Sequence, residues 1–322
     1  MIEAIRASLT HELETDERVL LMGQDIGDLG GVFRATDGLQ TKYGDDRVVC
    51  TPISESCMIG ASIGLAASGL VPVVEIQFLG FAHLGFHQVS HQLARMRYRS
   101  RGRIKTPVTI RCPYGGGVRA IEIHSDAVES MYAGVPGLKV VAPATAYDAK
   151  GMLTAAIRDE DPVLFLEPLR GYRLVRDEVP DEDYTVEFGQ ARIARAGEHV
   201  TIVAWSGMIP VVERAAETLA AEGIDAEIID LRSIVPLDVE TLVSSVVKTG
   251  RAVVVQEAPM TAGLGSEIVT TLTEEAFYNL EAPVARVTAP DTPYPYATGL
   301  EEYYLPDADR IVVAVRRTVT AA

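Results

Sequence analysis

Cysteine is scarce in this chain: Cys50, Cys57 and Cys112 are the only three among 322 residues, an odd set without metal-ligand spacing. That excludes a disulfide framework and the common zinc motifs, and it suits a reducing, cytoplasmic setting. Cations are short as well. Against 45 Asp and Glu stand 29 Lys and Arg, a formal charge of −16, which disfavours nucleic acid and favours a basic protein partner. No apolar run approaches the ~18 residues that span a bilayer, so no membrane partner is expected. The start Met1-Ile2-Glu3-Ala4-Ile5-Arg6 reads as an amphipathic helix rather than a secretory leader.

Nucleotide loops are missing too. The glycine clusters Gly27 to Gly31, Gly60 to Gly69 and Gly115-Gly116-Gly117 include no Walker loop. None joins a strand, Gly-x-Gly-x-x-Gly and a helix to an acid about 20 positions on. Turning and close backbone approach are the plainer roles, and Gly60 and Gly64, four apart on one helix face, are expected to pack closely.

What is present is alternation. Short β-branched runs at 19–22, 48–51, 71–77, 108–111, 139–142 and 163–166 are separated by helical patterns at 2–14, 57–69, 84–99 and 146–159. The segment Pro168 to Glu187, with Gly171, Pro180 and Asp181-Glu182-Asp183, breaks the rhythm as a linker does. A second alternation follows, with strands at 200–205, 226–230, 252–256 and 285–288 and helices at 209–222, 239–248 and 266–275. The expectation is two doubly wound α/β domains, the second smaller, over residues 1–180 and 188–322.

Three features bear on chemistry. Glu55 closes the run Val48 to Glu55 and faces the small-residue stretch Cys57 to Gly69, where a carboxylate is costly to bury without a specific partner. His83, His87 and His91 recur every four residues; that spacing can ligate zinc, yet no acid or sulfur joins the pattern, and a solvated or interfacial face explains it equally well. His124 follows the loop Pro113 to Glu122 and precedes Ser125-Asp126, which can cap the next helix. A ligand-site histidine near the carboxyl end of a strand and a merely structural imidazole are even readings there.

Several motifs resemble one family. They are Thr51-Pro52-Ile53-Ser54-Glu55, Gly69 to Phe78, Arg97-Tyr98-Arg99-Ser100, His124-Ser125, Pro136 to Val141, Tyr147 to Gly151, Glu227 to Asp238, Gln256-Glu257-Ala258-Pro259 and Asp291 to Pro295. Together they look like the β subunit of thiamine-diphosphate-dependent 2-oxo acid dehydrogenases, over nearly the whole chain. The resemblance implies an N-terminal pyrimidine-binding transketolase-like domain and a C-terminal transketolase-like domain. Lys248-Thr249-Gly250-Arg251 and Asn279 to Pro283 incline the reading to the branched-chain type.

By that resemblance Glu55 hydrogen-bonds a ring nitrogen of the cofactor's aminopyrimidine, a strong proton-sharing contact in a low dielectric. Phe81 packs against the same ring, with a core phenylalanine as the plain alternative. His124 orients intermediates or relays protons during acyl transfer to lipoyl. A structural potassium held through main-chain carbonyls is implied near the helix end at Ala156, Asp159 and Asp161, where the two acids can equally be a solvated helix terminus.

The family's Gly-Asp-Gly motif for magnesium and diphosphate is absent, since Gly27-Asp28-Leu29 and Gly44-Asp45-Asp46 lack the second glycine. A diphosphate needs metal and backbone donors, so half the site is expected on an α subunit in an α2β2 assembly. The resemblance also implies docking to the small basic subunit-binding domain of a dihydrolipoyl acyltransferase. Gly80 and Asp126 depart from the family, where a polar or acidic residue and a glutamine are common. Other acceptors, such as in acetoin cleavage or biosynthetic acyl transfer, a pyruvate substrate and a non-catalytic scaffold remain alternative readings.

Overall fold

The computed structural model describes residues 1–320. Six strands lie in the first half: β1 (Val19–Gly23), β2 (Val48–Cys50), β3 (Val71–Glu75), β4 (Thr109–Tyr114), β5 (Lys139–Val141) and β6 (Val163–Pro168). Six more follow: β7 (Arg192–Arg195), β8 (Val200–Ala204), β9 (Ala226–Asp230), β10 (Ser233–Val235), β11 (Ala252–Pro259) and β12 (Ala285–Ala289). They form a seven-stranded sheet, β10-β5-β6-β4-β3-β1-β2, and a five-stranded sheet, β12-β11-β8-β9-β7.

Nearly every pairing is parallel, because helical crossovers cover both faces and strands such as Val71–Glu75 and Val200–Ala204 are buried throughout. Ile5, Leu9 and Leu13 on helix Ile2–Thr15 meet Met152, Leu153 and Ile157 on helix Ala146–Arg158 over one face of the first sheet. Each such side chain contributes about 1.5–3 kcal/mol when fully buried. On the second sheet Ala215 and Leu219 pack with Ile311, Val312 and Val315 of the terminal helix Ala308–Thr320, an element absent from the sequence reading. Among the described residues no helix is long and apolar enough to cross a membrane.

The two sheets share material. β10 leaves the second half of the chain to pair antiparallel with β5, and one hydrophobic cluster runs from Ile59 through Tyr114 to Trp205, Ile234 and Leu264. Two of the four edge strands, β7 and β10, escaped the sequence reading because they are short and antiparallel.

The largest local departure is at 84–99, expected as one helix. Leu79–Gly85 is a 3₁₀ segment, Gln88–Leu93 a π-helix and Met96–Arg99 a single α turn. A Cβ on Gly80 would strike the Ile123 carbonyl and one on Gly85 would strike Ile59. Glycine therefore lets this stretch wedge between two neighbours, at the cost of a regular helix.

Candidate active site

Glu55 is the first residue of helix Glu55–Ala67, which starts directly after β2. Its side chain is 6% exposed, and among the described residues its carboxylate has no hydrogen-bond or ion-pair partner. The wedge Leu79–Gly85 packs against this helix on one side and against the turn Glu122–His124 on the other. Phe81 and His124 therefore meet, with ring centroids 5.0 Å apart. Phe78 joins them, at 5.6 Å from Phe81 and 4.5 Å from His124, in edge-to-face arrangements. Among the described residues the buried Nδ1 of His124 has no hydrogen-bond partner. The His124 Nδ1 thus stands unpaired against an aromatic wall, and the unpaired Glu55 carboxylate heads the helix on which the wedge carrying Phe81 packs.

A floor of charge spans three adjacent strands, with Glu75 at the end of β3, Arg111 midway along β4 and Glu167 near the end of β6. Arg111 of β4 donates to Glu167 of β6 through Nε at 2.7 Å and Nη2 at 2.9 Å, and to Glu75 of β3 through Nη1 at 2.7 Å. The Tyr172 hydroxyl also donates to Glu167, and its ring reaches the wall through Phe33, 5.0 Å away and 5.5 Å from Phe78. Burial pushes the Glu75 carboxyl above its ordinary value, against the pull of Arg111. The sequence reading missed this network. Its trace was a charge in each of three otherwise apolar runs, which only strand register brings together.

The two departures from the family pattern touch each other. A Cβ on Gly80 would lie 3.0 Å from an Asp126 carboxylate oxygen, so the acid occupies space that a side chain at 80 would claim. Burial raises the Asp126 pKa, and the nearby His83 imidazole draws it back. Ser125-Asp126 does not cap the next helix as expected: Glu129–Ala133 has Val128 at its N-cap and no side-chain cap, and the Ser125 hydroxyl is buried without a partner.

His87 and His91 stack at 5.0 Å on the exposed surface, as π-helical winding allows for residues four apart, and they converge with no acid or thiol. Among the described residues only His11, Glu12 and Asp183 converge closely enough to hold a metal, and Arg158 already bridges Glu12 at 2.7 Å and Asp183 at 2.9 Å. At the expected potassium site Lys139 pairs with Asp159 at 2.5 Å and Arg97 with Asp161 at 3.1 Å, while the Ala156 carbonyl accepts from the Asp159 amide. Those carboxylates are matched by cations, so a potassium bound here would rest on main-chain carbonyls rather than on them.

Gly115-Gly116-Gly117 serve close approach, facing Glu257, Tyr294 and Arg170 in turn. At Gly60 and Gly64 the close-packing expectation fails within the chain. A Cβ at 60 would make ordinary contact with Gln88, and one at 64 would meet nothing within 4 Å.

Residues 1–174 match the transketolase pyrimidine binding domain and residues 189–311 the transketolase C-terminal domain. The pyruvate dehydrogenase E1 component subunit beta of Bacillus subtilis is 49% identical over 319 residues, 99% of this chain and 98% of the relative. The chain belongs to the β subunits of thiamine-diphosphate-dependent 2-oxo acid dehydrogenases. Other relatives of this β subunit carry the same name, in Staphylococcus epidermidis at 48% identity and Staphylococcus aureus at 47%, each over 99% of this chain and 98% of theirs. A solved structure titled "Split gene transketolase, inactive beta4 tetramer" superposes with a TM-score of 0.79 at 27% identity, covering 99% of this chain and 97% of that one.

The branched-chain inclination finds no support in these relatives. The residues behind it serve the β subunit's second domain: Lys248 pairs with Glu227, Arg251 with Glu281, and Gly250 ends its helix in a left-handed turn at φ 69°. They report packing rather than substrate.

Glu129 adds a titration outside the aromatic wall. Both its oxygens are buried without partners, and the Trp205 indole leans toward it short of hydrogen-bond geometry. Burial, helped by Glu257, pushes its carboxyl up to about 7. A carboxyl raised in the folded state costs stability as pH climbs from its unfolded value through the folded one. Glu129→Gln is therefore expected to raise the Tm at pH 8, to leave pH 4.5 nearly unchanged, and to flatten the profile between, an effect on the order of 1–3 kcal/mol. Thermal melts across that range check it; a Tm that falls equally at both ends refutes it.

Proposed function

We propose that the chain is the β half of a pyruvate-type 2-oxo acid dehydrogenase, whose site is completed by an α subunit in an α2β2 assembly. The observation that carries the reading is the unpartnered His124 Nδ1 against the Phe78 and Phe81 rings, with the buried, unpartnered Glu55 at the head of the helix on which the wedge carrying Phe81 packs. The relatives named for pyruvate supply the substrate.

The chemistry that bound thiamine diphosphate supplies is an electron sink for the pair left when a 2-oxo acid loses CO2. Glu55 holds a proton against the cofactor's pyrimidine from a site shielded from water. Phe81 and Phe78 form the wall that keeps water out, and stacking on such a ring adds about 0.5–1.5 kcal/mol beyond area burial. His124, with its free Nδ1, would hold or pass a proton as an acyl group leaves for lipoyl. Magnesium and the diphosphate fall to the α subunit, because this chain lacks Gly-Asp-Gly. Potassium takes no part in the reading. The charge of −16 suits docking of a basic acyltransferase domain.

Calorimetric titration of thiamine diphosphate with magnesium tests the split site. Heat of binding is expected when the chain is mixed with its α partner and not with the chain alone; tight binding to the isolated chain overturns the reading. On the assembly, kcat/KM for pyruvate is expected to exceed that for branched 2-oxo acids by about tenfold or more, the discrimination that a few methylenes allow. The reverse order restores the branched-chain assignment.

A further inference from the structure

The glycine loop before His124 is gripped from the second domain. Glu301, on helix Thr298–Tyr304 and 5% exposed, accepts through Oε1 from the amides of Gly117 at 3.0 Å and Arg119 at 3.2 Å and from the Tyr294 hydroxyl at 2.6 Å. The Tyr294 hydroxyl in turn accepts from the Gly117 amide at 3.0 Å. Glu257, at the end of β11, accepts from the Gly116 amide and, through its other oxygen, from Arg170 at 3.0 Å.

Such a run of amides turned toward one side is an anion nest, here filled by carboxylates of the same chain. The backbone is bent to make it. Gly115 and Gly117 have φ of 80° and 83°, and Arg119, with a side chain, is held at 59°. A Cβ on Gly115 would lie 2.8 Å from Glu257, and one on Gly116 would overlap the Tyr294 hydroxyl.

Beyond the nest the loop runs to the turn Glu122–His124, which packs against the wedge Leu79–Gly85. Val118, Ile121 and Ile123 are exposed apolar residues, and the loop closes through the Gly115 amide on the Asp126 carbonyl at 3.2 Å. His124 stands between those two anchors.

We propose that Glu257 and Glu301 are positioning residues: by clamping amides 116, 117 and 119 from the second domain they set where His124 stands. The aromatic wall fixes only one side of the imidazole, through Phe78 and Phe81. The other constraint on His124 is the path of its loop, and two carboxylates of the second domain set that path. The inference rests on the role given to His124 above. It adds that the acyl-transfer step, more than decarboxylation, depends on residues outside the pyrimidine-binding domain.

The test uses the assembly reconstituted with its α subunit, carrying Glu301→Ala, Glu301→Gln or Tyr294→Phe. Three readouts are taken: trypsin cleavage after Arg119 by mass spectrometry, dye-linked 2-oxo acid decarboxylation, and reductive acylation of a free lipoyl domain. With Glu301→Ala, cleavage after Arg119 is expected to rise about tenfold or more as local opening becomes easier. Reductive acylation is expected to fall by about 10–100-fold, the cost of a misplaced catalytic group, with decarboxylation held within about threefold.

Glu301→Gln keeps an accepting oxygen and is expected to restore most of both losses, which a general packing defect would not predict. Unchanged protection of Arg119, or an equal fall in both partial reactions, overturns the clamp. A wild-type assembly that never acylates lipoyl overturns the functional reading instead, and the protease arm then decides the clamp alone.

Discussion

Glu55→Gln is expected to cut turnover of the reconstituted assembly by about 10²–10⁴-fold, the usual contribution of a positioned acid–base group. The affinity for thiamine diphosphate should change by far less. The amide fills the same volume and still hydrogen-bonds, so the cofactor ring keeps its contact; what it cannot do is take and return a proton. Calorimetric affinity and steady-state turnover on one preparation separate the two effects. Preserved turnover with a large loss of affinity refutes the role given to Glu55.

Stability gives an independent sign. Glu55 is almost wholly buried and unpaired among the described residues, so turning its carboxylate into an amide removes no contact within the chain. Glu55→Gln should leave the apo chain as stable as the wild type. A structural carboxylate would give the opposite, a melting temperature that drops together with activity. Stability kept where function is lost marks a site selected for chemistry rather than packing.

The burial of Glu55 was legible because a lone acid between an apolar strand and a small-residue helix breaks the local pattern. The parallel strands were legible for the converse reason: Val71–Glu75 and Val200–Ala204 are buried on both faces and are rich in the β-branched residues such strands favour. The segment 84–99 was not legible as it stands, since its apolar spacing continues as a helix would. The irregularity is imposed by what Gly80 and Gly85 lie against, which no local pattern records. Strand β10 is three residues long and draws its pairing from β5, some 90 positions earlier in the chain. The subtype misled for a related reason. Lys248 to Arg251 caps a helix and pairs with Glu227 and Glu281, so its sequence tracks neighbours in the second domain and carries nothing about the substrate.

Arg111→Met is expected to destabilise the chain by about 3–5 kcal/mol, because it strips the cation from two buried carboxylates rather than removing a whole ion pair. Glu167 has no exposed surface, Arg111 is 1% exposed and Glu75 is 6% exposed, so water cannot take the lost partner's place. For a chain of this size the melting temperature should fall by roughly 5–15 °C.

The pH dependence follows from the same electrostatics. Without Arg111 the Glu75 carboxyl, already raised by burial, is pushed higher still, so the penalty is full at pH 8 and shrinks as pH falls through that raised value. Relative to wild type, the variant should therefore be least impaired near pH 5. Adding Glu75→Gln and Glu167→Gln removes the orphaned charges and should recover much of the loss at pH 8. A variant equally impaired at both pH values, with no recovery in the triple substitution, would mean that Arg111 acts through its bulk. If charge is the cause, the damage should also reach the site, because Tyr172 binds Glu167 and leads through Phe33 to Phe78 and the wall beside His124. The floor would then hold the aromatic wall in place as well as closing the sheet.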